Sequence, residues 1–214
     1  MTSNEGTSEQ MENLHRQASP GRLDDLALDQ LFRTARTRKS WAPISVPDAL
    51  LKELYELLKF GPTSVNGSPV RLIFVKSEDA KAKLAPFLLG TNLESVMKAP
   101  VCAIVGYDLD FPRHLGRLFP HAPDIAAHFQ DPDVAREHAF RNGSLQGAYL
   151  MLAARALGLD VGPMSGFDAG GVTRTFFDGT RIEANFLCNL GYGTDELMFP
   201  RQPRLEFTET AKII

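Results

Sequence analysis

The chain has 214 residues, 43% hydrophobic and 23% charged, a composition that excludes a collagen-like or disordered chain and suits a globular protein. Its formal net charge of −3 provides no strong field for binding a nucleic acid or an anionic membrane. Cys102 and Cys188 lie in apolar runs without zinc spacing, so we expect buried free thiols in a reducing compartment. No apolar run approaches the roughly 20 residues of a spanning helix, and no secretory signal is evident. We therefore predict a cytoplasmic protein.

The first part of the chain divides near residue 20. Residues 1–20 are rich in Ser, Glu, Gln and Asn and bury too little apolar surface to offset the entropy of ordering, which predicts a disordered tail. Residues 21–214 form the predicted folded domain. Apolar residues recur at helical spacing between Leu23 and Ala35 and predict its first helix.

The next elements are a helix, a loop and a strand. Pro47 and Asp48 suit the start of a helix that buries a leucine stripe and ends at Gly61. A turn-rich loop covers residues 61–69. Val70 to Val75 is predicted as a strand, and because it is apolar on both faces we expect a central position in the sheet.

The middle of the chain alternates helices with one more strand. Ser77 is a predicted helix cap, and Thr91 with Glu94 predicts a capping box for the following helix. Val101 to Tyr107 is a predicted buried strand, and residues 108–132 are predicted to have weak structure.

The last part begins with a long helix over residues 133–157. Gly143 and Gly147 within it predict that another helix packs very close, from this or a second subunit. Residues 162–168 are predicted as a turn-rich loop in which Asp168 caps the next helix, and a third strand follows at 184–192. The apolar tail should dock on another surface. Together these elements predict an α+β architecture in which helices cover a modest sheet.

Several chemistries are not encoded. The chain has no P-loop and no dinucleotide-binding glycine motif. The glycine offset around Ser165 is wrong for a hydrolase nucleophile elbow. His114, His121 and His128 recur every seven residues, but prolines interrupt any helix there and we predict no metal site. What remains is a basic cluster after the first helix, a second near the C-terminus, and two polar loops between them. These could bind a phosphate and a flat polar ring, or be solvated patches and ordinary connections.

Four segments, in order along the chain, resemble signatures of the FMN-dependent nitroreductase family. They are Arg36-Thr37-Arg38-Lys39-Ser40-Trp41, Pro62-Thr63-Ser64-Val65-Asn66, residues 158–167, and Asn189-Leu190-Gly191-Tyr192-Gly193. Four shorter stretches have amino-acid sequences similar to those of the malonic semialdehyde reductase branch of that family: residues 61–69, 118–121, 140–142 and 162–168.

The resemblance implies a nitroreductase-like fold, with helices around a central, mostly antiparallel sheet, in an interlocked homodimer with an FMN at each interface. It assigns Arg36 and Thr37, with Arg204 and Arg201, to the phosphate, and Lys39 and Asn66 to the pyrimidine edge of the flavin. The Gly166 N–H would face the flavin N5. The complete set of implied cofactor-binding residues is Arg36, Thr37, Arg38, Lys39, Pro62, Thr63, Ser64, Asn66, Pro163, Met164, Ser165, Gly166, Arg201 and Arg204.

Some positions depart from the common family pattern. Ala35 stands where many relatives carry a further phosphate-binding arginine, and Ser165 replaces a frequent glutamate beside the flavin. Ser68 and Val70 replace the usual Gln and Trp of a Q-P-W sequence, which favours the aldehyde-reducing branch.

The resemblance also implies the reaction. NADH or NADPH would reduce the FMN, and a small aldehyde, 3-oxopropanoate, would then be reduced to 3-hydroxypropanoate in a ping-pong cycle without an obligate catalytic side chain. A broad-specificity nitroaromatic or quinone reductase and a flavin-binding module with little turnover are the alternatives. A substrate carboxylate would need a cation, for which Arg71, Arg113 and Arg141 are open candidates.

Overall fold

The computed structural model describes residues 21–214, so the predicted tail over residues 1–20 lies outside the described residues. The chain divides into two units, residues 1–35 and 36–214. In the described part of the first unit, helix α1 (Asp25–Leu28) continues directly into a π-helical turn, Asp29–Arg33. The carboxylate of Asp24 accepts a hydrogen bond from the Ala27 N–H at 2.8 Å and so caps α1. The predicted first helix is confirmed.

The second unit contains a four-stranded sheet in the order β1-β2-β4-β3, and all neighbouring strands are antiparallel. Its strands are β1 (Val70–Val75), β2 (Val101–Asp108), β3 (Asp160–Met164) and β4 (Ile182–Gly191). The α+β prediction and the three predicted strands are confirmed. The strand β3 was missed, because Gly162 and Pro163 within it indicate a turn.

The prediction that β1 is central is wrong, because β1 is an edge strand and β2 and β4 occupy the centre. Its two apolar faces have another cause. Val70 belongs to one hydrophobic cluster, whereas Val75 belongs to a second cluster. Helices covering both faces of a sheet make even its edge strand apolar on each side.

Seven helices complete the described part of this unit, with short 3₁₀ turns between some of them. The helices are α2 (Asp48–Leu58), α3 (Glu78–Leu84), α4 (Asn92–Lys98), α5 (Leu115–Leu118), α6 (Pro132–Ala156), α7 (Ala169–Phe176) and α8 (Phe207–Thr210). The 3₁₀ turns are Ser64–Asn66, Ala85–Phe87, Phe111–His114 and Pro123–Phe129. Residues 108–132 therefore contain short helical pieces rather than one regular element.

The long helix α6 packs directly on the sheet, which corrects the prediction of a closely packed neighbouring helix. A Cβ atom on Gly143 would lie 2.9 Å from the Cβ of Tyr107 on β2, and one on Gly147 would lie 2.5 Å from the Phe186 ring on β4. These distances are shorter than carbon–carbon contact, so the two glycines allow the helix to approach the strands.

The predicted helix caps have mixed outcomes. Ser77 accepts from the Ala80 N–H and Asp168 accepts from the Gly171 N–H, as predicted. The capping box at Thr91 is wrong, because Thr91 has helical backbone angles and its side chain makes no cap hydrogen bond. Glu94 instead pairs with Lys98 one turn later, at 2.7 Å.

The C-terminal tail does not pack on the rest of the described chain: every residue from 201 to 214 is exposed. Phe207 is 60% exposed and Ile213 is 87% exposed. The apolar residues Leu205, Phe207, Ile213 and Ile214 are therefore not buried against residues 21–200 of the same chain, where docking was expected. Among residues 21–214, no helix combines the length and apolarity needed to cross a lipid bilayer.

Candidate cofactor site

The segment from Thr37 to Trp41 runs beside β3 and brings two of the predicted groups together. Thr37 forms a parallel bridge with Val161, and the Arg38 N–H donates to the Val161 carbonyl at 3.0 Å. Gly162 permits this approach, because a Cβ there would lie 2.5 Å from the Arg38 carbonyl oxygen. The basic segment therefore lies against the strand that carries Pro163 and Met164.

A cavity of about 450 Å³ lies where these segments meet. Its volume falls within the about 300–1,000 Å³ that small-molecule sites occupy. Five predicted site residues line it: Thr37, Arg38, Lys39, Pro163 and Met164. Further lining residues come from α4, including Asn92 and Ser95, and from the segment 196–199.

Lys39 is an exposed cation at this cavity. Its Nζ lies 4.5 Å from the centroid of the Phe199 ring, a cation–π contact. The main chain of Lys39 is held by helix α4, because the Ser95 hydroxyl donates to the Lys39 carbonyl at 3.2 Å. Ser95 in turn accepts from the buried amide of Asn189 on β4, also at 3.2 Å.

Arg38 has a structural role in this arrangement. Its guanidinium pairs with Asp160 at 3.3 Å and with Asp195 at 2.5 Å, and its side chain is only 17% exposed. Burial disfavours its charge, but the two carboxylates outweigh burial and raise the pKa of Arg38. With two counter-ions of its own, Arg38 has few donors left for a ligand, and its predicted cofactor role stays a prediction.

Two of the predicted phosphate-binding arginines, Arg36 and Arg204, donate to different main-chain carbonyls. Arg36 donates to the Phe199 carbonyl. Arg204 donates to the carbonyls of Gln202 and Pro203, each at 3.0 Å, and both Arg201 and Arg204 are exposed on the tail.

The turn after β3 presents a free backbone donor. The Gly166 carbonyl accepts from the Leu89 N–H at 3.1 Å and from the Asn92 side-chain amide at 2.9 Å. The Gly166 N–H makes no hydrogen bond within residues 21–214. Ser165 beside it is exposed. The carbonyl contacts fix the orientation of this turn while leaving the donor available.

The predicted loop residues Pro62, Thr63, Ser64 and Asn66 are at a different place. Asn66 lines a second, larger cavity, of about 1280 Å³, that contains none of the residues 36–39 or 163–166. The loop is firmly held, because Asn142 on α6 accepts from the Ser64 N–H at 2.8 Å and Thr63 accepts from the Ser68 N–H at 3.1 Å. Val65 and Asn66 both have φ of 50°, a strained conformation that the surrounding contacts maintain.

The sequence did not predict the residues whose hydrogen bonds position the lining of the cavity. Asn92, Ser95 and Asn189 hold the Gly166 turn and the Lys39 main chain. Asn189 lay in a recognised segment but had no assigned role. For Asn92 and Ser95 the sequence predicts only that they lie near the start of a helix. Their hydrogen bonds to Gly166 and Lys39 join distant segments, and no local pattern predicts such contacts.

The described residues show neither a metal centre nor an activated thiol. Within residues 21–214, no group of three His, Cys, Asp or Glu side chains could hold a metal ion. Burial raises the pKa of the Cys188 thiol to about 12 and raises that of Cys102 as well, so both thiols stay protonated at neutral pH.

Comparison with known proteins identifies the class to which this fold and cavity belong. Residues 32–192 match the model of the nitroreductase family, and the chain belongs to that family. A protein from Exiguobacterium sibiricum 255-15, solved in complex with FMN, shares the fold with a TM-score of 0.79 at 19% identity, covering 92% of this chain and all of that one (100%).

Two relatives are much more similar in sequence. One, from Caulobacter sp. (strain K31), is 56% identical over 193 residues, which are 90% of this chain and 99% of the relative. Another, from Stenotrophomonas maltophilia (strain R551-3), is 59% identical over 192 residues, covering 89% and 97% of the two chains. Both names assign them, provisionally, as NADH dehydrogenase/NAD(P)H nitroreductases. The names do not mention malonic semialdehyde.

Proposed function

We propose that the chain is an FMN-dependent NAD(P)H oxidoreductase. The observation that carries the proposal is the cavity in which Thr37 and Lys39 meet Pro163 and Met164, beside a turn whose Gly166 N–H has no partner in the described chain. Three comparisons support the proposal: the chain belongs to the nitroreductase family, a protein with the same fold was solved with FMN, and close relatives carry NAD(P)H-related names.

The residues present fit such a cofactor. Bound FMN would accept a hydride from NADH or NADPH and pass it to an acceptor. The Lys39 ammonium would stabilise negative charge on the pyrimidine edge of the ring, and the Gly166 N–H would donate toward N5. The Thr37 hydroxyl and the Arg36 guanidinium would bind the phosphate. Asn92 and Ser95 would orient this turn and the Lys39 segment rather than touch the cofactor.

A homodimer would complete this site. In one chain Asn66 lines a different cavity from Thr37, Lys39, Pro163 and Met164, and the apolar tail is exposed. A second copy could bring its own loop to the cofactor and cover the tail. Light scattering should then give a dimer mass, and deleting residues 205–214 should yield monomer with weakened flavin binding. A full-length monomer with full flavin content would contradict the dimer.

The proposed physiological acceptor is 3-oxopropanoate. The aldehyde, one NAD(P)H and one proton would give 3-hydroxypropanoate and NAD(P)⁺. The resemblance of several loops to the malonic semialdehyde reductase branch supports this substrate. The second candidate is a nitroaromatic or quinone reductase of wider specificity, which the names of the close relatives favour.

A single set of absorbance measurements tests these assignments. Purified or FMN-reconstituted protein should show flavin absorbance, lose it under anaerobic NADH or NADPH, and recover it when 3-oxopropanoate is added. Recovery with nitrofurans or quinones alone would reject the aldehyde and favour the second candidate. A protein that takes up no flavin would reject the whole proposal, and bound flavin that neither nicotinamide bleaches would indicate a binding module.

A further inference from the structure

The larger cavity has an excess of basic side chains. It lies between α2 and β1 and extends to α5, and its lining includes Lys52, Lys59, Arg71, Lys76 and Arg117 but only two carboxylates, Asp48 and Glu56. Apolar side chains such as Leu51 and Phe74 form part of the same lining. A short carbon chain with a negative end is chemically complementary to such a cavity.

Most of these cations are already neutralised. Lys76 pairs with Asp48, and Lys59 pairs with Glu56. Lys52 acts electrostatically on Asp48, so that carboxylate is shared by two lysines. These pairs neutralise Lys59 and Lys76 and leave Lys52 as the one excess positive charge among these three lysines.

Arg71 is also committed to partners within the chain. It pairs at 2.6 Å with Asp108, whose side chain is 2% exposed, and it donates to the carbonyls of Ser68 and Val70 at 3.1 and 2.8 Å. A guanidinium with a buried counter-ion and two carbonyl acceptors retains few donors for a ligand. Arg71 therefore shapes the cavity wall instead of offering an open anion site.

Arg117 differs from Lys59, Arg71 and Lys76, each of which has an ion-pair partner. Lys52 also makes no ion pair among the described residues, but it acts on the Asp48 carboxylate of the cavity. Within residues 21–214 the Arg117 guanidinium makes no hydrogen bond and no ion pair with a carboxylate, although it is exposed and lines the cavity. Its charge acts on His114 in the same lining. It lies next to Leu118, whose carbonyl accepts from the Asn66 side-chain amide at 2.9 Å. The unpaired cation is thereby tied to the loop that the proposed function places at the flavin.

Two other arginines fit this role less well. Arg113 approaches the same Asp108 carboxylate at 3.7 Å and donates to the His114 ring at 3.2 Å. Arg141 pairs with Glu137 on the exposed surface of α6 and lines none of the described cavities.

We infer that Arg117 is the residue that selects an anionic acceptor, by binding its carboxylate at the end of the cavity beside Asn66. A guanidinium binds a carboxylate through two parallel N–H···O bonds, and this fixes the far end of the acceptor as well as attracting it. The inference rests on the proposed function for the reduction itself, whereas the anion site is a property of the chain alone.

Two acceptors that differ in charge test the inference. The probes are 4-nitrobenzoate and 4-nitrobenzamide, which share the ring and the nitro group, and each is measured both by calorimetric binding and as an electron acceptor. Arg117→Gln should weaken binding of the benzoate about five- to tenfold, as expected for one exposed charge-assisted contact. Binding of the benzamide should change less than twofold. Arg117→Lys should retain part of the preference.

The matched control is Arg174→Gln, which removes an exposed arginine of α7 outside the described cavities and should change neither constant. Equal losses for both probes in Arg117→Gln, or no loss for the benzoate, would overturn the inference. Failure of wild-type protein to bind the benzoate would overturn it as well. One further outcome separates the two proposals. If the protein takes up no flavin but still binds the benzoate through Arg117, the anion site is supported and the proposed reductase function is rejected.

Discussion

The side-chain amide of Asn189 donates to the hydroxyl of Ser95 at 3.2 Å, and this contact joins the centre of the sheet to the candidate cofactor site. Asn189 is fully buried on β4, and Ser95 passes the connection on to the Lys39 carbonyl. The relay is short, because only one hydroxyl separates the sheet from the main chain of Lys39. The position of Lys39 therefore depends on Ser95 and Asn189, which lie outside the basic segment 36–39.

The first prediction concerns this relay. Ser95→Ala leaves the Asn189 amide and the Lys39 carbonyl without their partner, and unfolding in urea should show a loss of about 1–3 kcal/mol. Flavin binding should weaken as well, because Lys39 loses its support. Ile104→Val, a mild core change expected to cost about 0.5–1.5 kcal/mol, is the control for general destabilisation. Flavin affinity that falls equally in both variants would contradict a positioning role for Ser95.

The second prediction separates the two carboxylates that bind Arg38. Asp160 is 33% exposed and also accepts from the Gly193 N–H at 3.0 Å, whereas Asp195 is 80% exposed. Asp160→Ala should therefore cost about 1–2 kcal/mol of unfolding free energy, since it leaves the largely buried Arg38 guanidinium and the Gly193 N–H short of partners. Asp195→Ala should cost less than about 0.5 kcal/mol, as exposed ion pairs do. The reverse order in urea denaturation would show that Asp195 is the main anchor.

Local signals predicted most of the fold. The Ser77 and Asp168 caps and the apolar strands are determined by nearby residues and are present. The predicted leucine stripe of α2 is buried at Leu51, Leu54 and Leu58, whereas Leu57 is 43% exposed. Where β1 lies in the sheet could not be predicted this way, because burial on both faces and a central position give the same apolar pattern. Gly143 and Gly147 similarly indicated a close contact without identifying the strands as its partner.

The candidate site was predictable only in part. The motif around Lys39 and the segment around Met164 lie at one cavity, as the resemblance implies. Arg38 belongs to the same motif, yet its counter-ions come from residues more than a hundred positions away, so sequence could not show that it is occupied. Sequence could not show either that Arg117 has no carboxylate partner among residues 21–214, because ion pairing depends on which residues the fold brings together.

The third prediction tests the close contact between β3 and the basic segment. Gly162→Ala would place a methyl group 2.5 Å from the Arg38 carbonyl oxygen and 3.1 Å from the Trp41 ring. The segment must move, and we expect a loss of about 1–3 kcal/mol in unfolding free energy together with weaker flavin binding. Gly116→Ala in α5 is the matched control, because nothing lies within 4 Å of the added atom. Wild-type stability in Gly162→Ala would show that the segment is not confined by β3.

The last prediction concerns the pH dependence of stability. His138 stacks on Phe111 with ring centroids 4.7 Å apart, and its buried Nε2 has no hydrogen-bond partner within the described residues. Burial lowers the pKa of His138, and the charges of Arg141 and His128 lower it further, against a backbone contact with Ser64 that raises it. The folded state therefore favours the neutral ring, so the unfolded chain binds the proton first as the pH falls below its ordinary value of about 6.5.

Unfolding free energy should consequently be unaffected by this group above about pH 7 and should fall as the pH drops from about 6.5 toward the lowered pKa of the folded state. One proton can contribute at most about 1.4 kcal/mol per pH unit. His138→Phe keeps an aromatic ring in the stack and removes the titrating group, so urea denaturation between pH 8 and 5 should give a shallower decline than in wild type. His114, whose pKa is lowered by burial and then by Arg71, Arg113 and Arg117, should account for part of the decline that remains. An unchanged slope in His138→Phe would show that the ring takes up its proton without cost to the fold.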